Sequence, residues 1–441
     1  MDWSPIVARL TQSNRPRTMR TTVVYVALIL AAIAAFLFIR GRGEMLVAPV
    51  PPAGATAASV ASATPDILWH LLLAMAAVVT VGQLLGRVFS LAGQPPVIGE
   101  VVGGILLGPS LLGYISPAAY LFILPPAVAP FLGVVAQLGV IMYMFLVGLE
   151  LNPELLRNRA HAIVATSHAS IVAPFVLGSA LALYLYPRFS TSNVPFTSFA
   201  LFLGLAMSIT AFPVLARILS DRGLTRTELG AIALTCAAVD DVTAWCLLAF
   251  VVGVVQSSAH SALSVAALTL GFVGFMFVIV RPVAAKVAAC AERNPSHPLQ
   301  GTIALTLVSV LAAALTTEAI GIHAIFGAFL LGVVIPHESK LARSLTQSLE
   351  NVVTMLLLPA FFAFTGMRTE IALVSGLYQW LICGLIIAVA TAGKFGGTLL
   401  AARLTGWRWR PAAALGVLMN TRGLMELIVL NVGPYPRCCS R

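Results

Sequence analysis

Long apolar runs recur along this chain, and they constrain its fold more than any other feature. Runs of about 17 to 25 residues follow one another from residue 23 almost to the end, and a hydrocarbon layer of about 30 Å needs about 20 helical residues to cross it. Only 10% of the residues are charged and 59% are hydrophobic, which excludes an ordinary soluble domain. Because alternating barrel strands are not visible, the sequence predicts an all-α polytopic membrane protein.

The apolar runs divide the chain into a head, a linker and a large membrane domain. With the head included, they predict about 12 to 13 transmembrane helices. A cleavage-like "ASVASA" lies roughly twenty residues beyond the first run, which favours an uncleaved anchor over a signal peptide. The predicted divisions are a basic cytoplasmic tail over 1–22, an extra transmembrane helix or signal anchor over 23–39, a Pro/Ala-rich linker over 40–66, the transmembrane domain over 67–433 and a polar tail over 434–441.

Lysine and arginine are concentrated in alternate loops between the apolar runs. One basic loop, for example, carries Arg217, Arg222 and Arg226, whereas the neighbouring loop on the opposite side holds only Arg188. Such alternation assigns the basic loops to the cytoplasm, so the formal charge of +10 reports topology rather than nucleic-acid binding. We expect a multi-pass protein in a lipid bilayer, namely a bacterial inner membrane.

Two adjacent carboxylates, Asp240 and Asp241, lie inside the long apolar stretch around "CAAVDDVTAWC". A single carboxylate at the centre of a membrane helix costs about 2.5 to 3.5 kcal/mol on insertion scales, and such residues usually serve ion or proton pathways. The alternative is a pair of protonated acids that hydrogen-bond neighbouring helices. The position of the pair, well inside a predicted span, favours an ion or proton site near the membrane midplane.

Lys394 is a second charge inside an apolar span, in "TAGKFGGTLL". Gly393, Gly396 and Gly397 beside it would let another helix approach closely. A buried ammonium group needs an anion, and the Asp pair is the obvious partner. The alternative is that Lys394 extends to the membrane interface.

Two spans contain residues that interrupt a helix. In "SITAFPVLARIL", Pro213 removes a backbone donor and Thr210 could satisfy freed groups. In "VLMNTRGLMELIVL", the interrupting residues are Asn420, Thr421, Arg422 and Gly423. Paired broken helices in the two halves of a chain indicate a transporter built from an inverted repeat, with its site at the midplane.

Other polar residues in or near the spans are weaker candidates. Glu318 and His323 could line the ion path or lie at a helix end, and Glu426 could pair with Arg422 four residues earlier. Glu100 could equally be a first-turn carboxylate or a functional one. The cysteines and histidines show no metal-ligand spacing, so no cofactor is expected.

Several of these segments together resemble the monovalent cation:proton antiporters, including Kef-like and plant cation/proton exchangers and, more distantly, NapA-type sodium/proton antiporters. The segments are "GQPPVIGEVVGGILLGPSLLG", "FLVGLELNPELLR", "SITAFPVLARIL", "VDDVTAW", "GIHAIFGAFLLGVVIP", "GKFGGTLLAARLTGW" and "LGVLMNTRGLMELIVLNVG". The resemblance implies an inverted-repeat antiporter fold with two crossed discontinuous helices, a dimerisation domain, a homodimer and alternating access.

The resemblance also implies a role for each motif residue. Asp241 matches the carboxylate that binds a monovalent cation or a proton in turn, and Asp240 matches the one that pairs with the lysine, here Lys394. After "NVG" the family continues into another transmembrane helix, whereas this sequence has "PYPRCCSR". We therefore expect a C-terminally truncated transmembrane domain.

These residues predict a secondary transporter, not an enzyme, that exchanges Na+ or K+ for protons by competition at one carboxylate site. An intramembrane aspartyl protease would need a proton-sharing acid dyad, normally contributed by two helices, and here the acids are adjacent on one. The alternative that stays open is a cation channel or channel-like K+ efflux component, which would conduct without proton coupling. The sequence carries no carbonyl selectivity-filter motif for such a channel.

Overall fold

The computed structural model describes residues 15–44, 46, 66–151, 160–191, 194–255, 259–293, 299–371 and 374–423. These residues form helices and no strands, which confirms the all-α prediction. The helices, in chain order, are α1 (Arg15–Gly43), α2 (Ile67–Leu91), α3 (Pro96–Leu107), α4 (Leu112–Ile115), α5 (Pro117–Ile123), α6 (Ala129–Glu150), α7 (Ala160–Phe189), α8 (Phe196–Ser208), α9 (Phe212–Asp221), α10 (Glu228–Val255), α11 (Ala259–Phe275), α12 (Arg281–Arg293), α13 (Leu299–Ile320), α14 (Ala324–Val334), α15 (Lys340–Val352), α16 (Leu358–Met367), α17 (Gly376–Leu404) and α18 (Trp409–Met419).

Eleven membrane-spanning candidates are found within the described residues, by length and composition. The predicted number was about 12 to 13, and two segments account for the difference. The helix α14 is apolar but only 11 residues long, and the last apolar run of the sequence, over 411–432, is described only as far as residue 423. The protein is therefore a multi-pass membrane protein with some spans built from shorter helices.

The helices pack into two neighbouring groups. In one group α7 packs along α17 and α8, with α10 and α18 beside them. In the other, α3 packs on α2 and α16, and α6 packs on α14 and α16. The short helix α9 contacts α10 of the first group and α3 and α6 of the second, so it lies between the two groups.

Glycines allow several of these helices to touch backbone to backbone. A Cβ atom on Gly393 of α17 would lie 2.7 Å from Pro174 Cα of α7, and one on Gly397 would lie 2.6 Å from the Ala169 carbonyl oxygen. The predicted close approach beside Lys394 is therefore present at these two glycines. The third, Gly396, has nothing within 4 Å among the described residues.

The crossing of α6 and α14 gives a test of this packing. A Cβ atom on Gly148 would lie 2.2 Å from the Phe329 carbonyl oxygen, so Gly148→Ala should force the helices apart and cost roughly 1 to 3 kcal/mol or more. We expect a lower apparent melting temperature and a lower yield of monodisperse protein in detergent. Gly384→Ala on α17, where the described surroundings leave open space, is the matched control; equal behaviour of the two variants would contradict this packing.

Candidate functional site

The break between α8 and α9 meets the end of α18. The α8 helix ends at Ser208 and α9 begins at Phe212, which leaves three residues of non-helical backbone between them. The Ala211 amide donates a hydrogen bond to the Thr421 carbonyl (2.9 Å), and the Thr210 hydroxyl lies 3.3 Å from the Met419 carbonyl. The Ala211 to Thr421 hydrogen bond thus joins the two predicted interruptions, which are far apart in sequence.

Pro213 has a different local role from the one that the sequence suggested. We expected it to remove a donor from within a helix, but the structure places it in the first turn of α9. The first-turn amides of a helix have no intrahelical acceptor, so proline is tolerated there. Pro213 therefore helps α9 to begin after the break, and the break itself lies at residues 209–211.

Asp240 lies near the middle of α10, is completely buried, and is surrounded by donors. Its carboxylate accepts hydrogen bonds from the hydroxyls of Ser167 (2.5 Å), Ser170 (2.7 Å) and Thr210 (2.9 Å). The ammonium group of Lys394 is 2.8 Å from Asp240 Oδ2. A buried ion pair is tolerated only with such additional hydrogen bonds.

Lys394 joins α17 to both Asp240 and the first break. Besides the ion pair, its ammonium group donates a hydrogen bond to the Ser208 carbonyl, the last residue of α8, at 2.5 Å. The carbonyls at a helix C-terminus carry partial negative charge, which a cation stabilises. The predicted pairing of Lys394 with the Asp pair is thus present geometrically, and it involves Asp240.

Asp241 contrasts sharply with its neighbour. It is 1% exposed, yet neither of its carboxyl oxygens makes a hydrogen bond among the described residues. The indole of Trp245, one turn later, lies near this carboxyl group without meeting hydrogen-bond geometry. A buried carboxyl group without a protein partner is costly, which singles out Asp241 as a group available to a proton or a cation.

The second interruption contributes further polar groups. The guanidinium of Arg422 donates to the carbonyls of Met207 on α8 (3.1 Å) and Ala390 on α17 (3.0 Å). The side-chain oxygen of Asn420 is buried and has no donor within the described part of the chain. A Cβ atom on Gly423 would lie 2.9 Å from the Ala211 side chain, so this position is crowded by the first break.

Two weaker candidates lie at the start of α14, and the ring of His323 is 5.4 Å from that of Trp245. Glu318 accepts a hydrogen bond from the Ala324 amide (3.0 Å), and His323 caps α14 by accepting from the Ile325 amide (3.3 Å). These contacts place both residues at the N-terminus of α14, where a carboxylate is favourable. Glu426 lies outside the described residues.

Ser167 and Ser170 on α7 are the site residues that our sequence reasoning missed. They lie three positions apart in "ATSHAS", so both can face one side of a helix. The signal was two hydroxyls on one face of an apolar span. That signal is weak, because serine in membrane helices commonly bonds its own helix backbone; the single hydroxyl proton of Ser170 is shared here between the Ser167 carbonyl and Asp240.

Comparison with known proteins assigns the family. The sequence profile described as "Sodium/hydrogen exchanger, transmembrane" matches residues 73–437, most of the chain. The chain belongs to the sodium/hydrogen exchanger family. The resemblance read from the motifs is thereby confirmed.

Individual relatives of this exchanger-family protein are consistent with the family assignment. The Na+/H+ antiporter NhaS4 of Synechocystis is 44% identical over 371 residues, which cover 82% of this chain and 90% of that protein. The K+/H+ antiporter 1 of Saccharomyces cerevisiae is 31% identical over 367 residues, or 81% of this chain. This chain spans only 42% of the length of the yeast protein.

The fold has a counterpart among solved structures. The sodium proton antiporter MjNhaP1 of Methanocaldococcus jannaschii superposes with a TM-score of 0.60 and 14% sequence identity, covering 83% of this chain and 86% of that one. This likeness shows the fold, and it confirms the predicted antiporter architecture.

Proposed function

We propose that this protein is a secondary active antiporter that exchanges a monovalent cation, Na+ or K+, for protons, with Asp241 as the group that binds either one. The observation that carries the proposal is the contrast within the Asp pair. Asp240 is paired with Lys394 and accepts hydrogen bonds from three hydroxyls, whereas the buried oxygens of Asp241 make no hydrogen bond among the described residues. The names of relatives, a Na+/H+ antiporter and a K+/H+ antiporter, support the same reaction.

Competition at Asp241 would couple the two ions. A second negative charge beside Asp240 is unfavourable in a low-dielectric site, so Asp241 requires a proton or a cation as its counter-charge. Binding of one excludes the other. If the site crosses the membrane only when it is occupied, a cation moving one way must be exchanged for protons moving the other way.

The surroundings of the pair suit this exchange. Lys394 and Thr210 fasten Asp240 to α17 and to the first break, so the site would move with these elements as one unit. The buried Asn420 oxygen and the carbonyls of the non-helical backbone are hard oxygen ligands of the kind that alkali cations use in transporter sites. We further propose a homodimer in a bacterial inner membrane, with the basic loops in the cytoplasm.

The test uses purified full-length protein in liposomes that enclose a pH-sensitive dye, with the membrane potential clamped at zero. An imposed gradient of Na+ or K+ should drive proton movement in the opposite direction, and the active ion identifies the substrate. Cation flux without any proton movement would contradict exchange and would support a channel.

A further inference from the structure

Glu100 on α3 is a buried carboxylate that the exchange site does not use. It is 2% exposed, and one of its oxygens, Oε2, has no hydrogen-bond partner among the described residues. The other oxygen lies 3.7 Å from Arg217 Nη2 on α9. Glu100 therefore makes an ion-pair contact between α3 and α9.

The same end of α9 makes a second charged contact. Arg222 follows α9 and donates through Nη2 to the carbonyl of Gly93, in the turn between α2 and α3. Arg217 itself is held by Asp221, whose Oδ1 is 3.2 Å from Arg217 Nε, and the buried Tyr143 of α6 lies near this pair. Two arginines thus fasten the end of α9 to α3 and to the turn before it.

The α3 helix is a firm anchor for this fastening. A Cβ atom on Gly99 would lie 2.5 Å from the Leu85 backbone of α2, and one on Gly104 would lie 2.0 Å from the Ala363 carbonyl of α16. Backbones that touch this closely leave little freedom to slide. In contrast, the Glu100–Arg217 contact joins long side chains that can separate.

The contacts of Arg217 and Arg222 lie at one end of α9, and a cavity beside the two helix breaks lies at the other. A cavity of about 530 Å³ reaches Ala211, Pro213 and Gly423 and extends to Pro130 and Arg368, at the start of α6 and the end of α16. The α9 helix runs from this cavity to the two arginines, which the loop charges assign to the cytoplasm. The cavity therefore lies at the start of α9, and the two arginines lie at its other end.

We propose that Glu100, Arg217 and Arg222 are positioning residues for exchange. They hold the cytoplasmic end of α9 against α3 while the site faces the opposite side, and they separate when the site faces the cytoplasm. The inference rests on the proposed exchange, because contacts that hold one state have a role only if the site faces the two sides of the membrane in turn. It acts on Asp241 through α9 and the Thr210 break, without contact to the ion.

The test compares the two faces of the membrane. A cation added at one face of the membrane binds only to molecules whose site is open to that face. The apparent affinity therefore scales with the fraction of molecules in that state. Glu100→Gln should lower the half-saturating cation concentration at the cytoplasmic face, exposed in everted vesicles, by roughly fivefold or more. It should not lower this concentration in right-side-out vesicles, and Glu100→Asp should stay close to the parent.

If Glu100→Gln raised the half-saturating cation concentration equally at both faces, the substitution would have damaged the fold without favouring one state. That result, or an unchanged concentration at both faces, would overturn the proposal. The double variant Glu100→Arg with Arg217→Glu restores a pair of opposite charges. It should return the half-saturating cation concentration at the cytoplasmic face towards that of the parent. A parent without any exchange would instead refute the proposed function. If the parent exchanges ions but the Glu100 variants change the half-saturating concentration equally at both faces, or not at all, only the proposed role of Glu100 would be refuted.

Cross-linking gives a second test that does not depend on the Glu100 variants folding. In a background whose native cysteines are replaced, Gln94→Cys and Leu224→Cys flank the Arg222 to Gly93 contact, and both positions are exposed. A bifunctional thiosulfonate reagent that joins them should stop exchange, and a reductant should restore it. Full exchange by the cross-linked protein would overturn the proposal.

Discussion

Replacing Lys394 with methionine is expected to destabilise the protein by about 3 to 5 kcal/mol, because it leaves the buried Asp240 carboxylate without its cation. Both groups of this pair are completely buried and 2.8 Å apart. The Lys394 contact to the Ser208 carbonyl would be lost as well. The measurement is the apparent melting temperature of detergent-solubilised protein, followed by size-exclusion chromatography after heating.

The double variant Lys394→Met with Asp240→Asn should recover much of the lost stability, because no uncompensated charge remains. Lys286→Met, at an exposed position on α12, is the matched control and should melt like the parent. An unchanged melting temperature in Lys394→Met, or no recovery in the double variant, would show that the pair does not stabilise the fold.

Asp241→Asn is expected to abolish the response to cations without harming the fold. The substitution removes a buried charge that makes no hydrogen bond among the described residues, so the melting temperature should equal or exceed that of the parent. A ligand at 100 times its dissociation constant stabilises the native state by about 2.7 kcal/mol. The parent should therefore melt higher when the transported cation is added, and more so at higher pH, where fewer protons compete.

The variant should show neither the cation effect nor its pH dependence. Potassium and sodium chloride, with choline chloride as the ionic-strength control, separate binding from a general salt effect. Cation stabilisation that persists in Asp241→Asn would move the binding group elsewhere in the site.

The sequence predicted the membrane class and the charged residues of the site because each involves a large free energy. Charges in an apolar span must be paired or functional, so Asp240, Asp241 and Lys394 stood out without any structure. The same reasoning predicted that the lysine pairs with the acids. It did not tell the two acids apart from first principles; only the family resemblance gave Asp240 the lysine, and the geometry of the structure agrees.

The residues and contacts that the sequence did not predict depend on which faces of distant helices meet. Ser167 and Ser170 are ordinary in a membrane helix until α7 is placed against α10, and Arg422 gains its acceptors only when α18 ends beside α8 and α17. Pro213 was assigned to the interior of a helix because a linear pattern does not show where a new helix begins. Tertiary packing, rather than local propensity, decides each of these cases.

The most direct test of the account is exchange by Asp241→Asn in everted vesicles, followed with a pH-sensitive dye after pulses of sodium or potassium. Glu350→Gln, at an exposed position on α15, is the control for loss of a carboxylate. The account predicts that the control exchanges like the parent and that Asp241→Asn, present at equal amounts and equally stable, shows only the background of vesicles without the protein. Cation-dependent proton movement by Asp241→Asn at the parental rate would contradict the claim that this carboxylate carries the cation and the proton in turn.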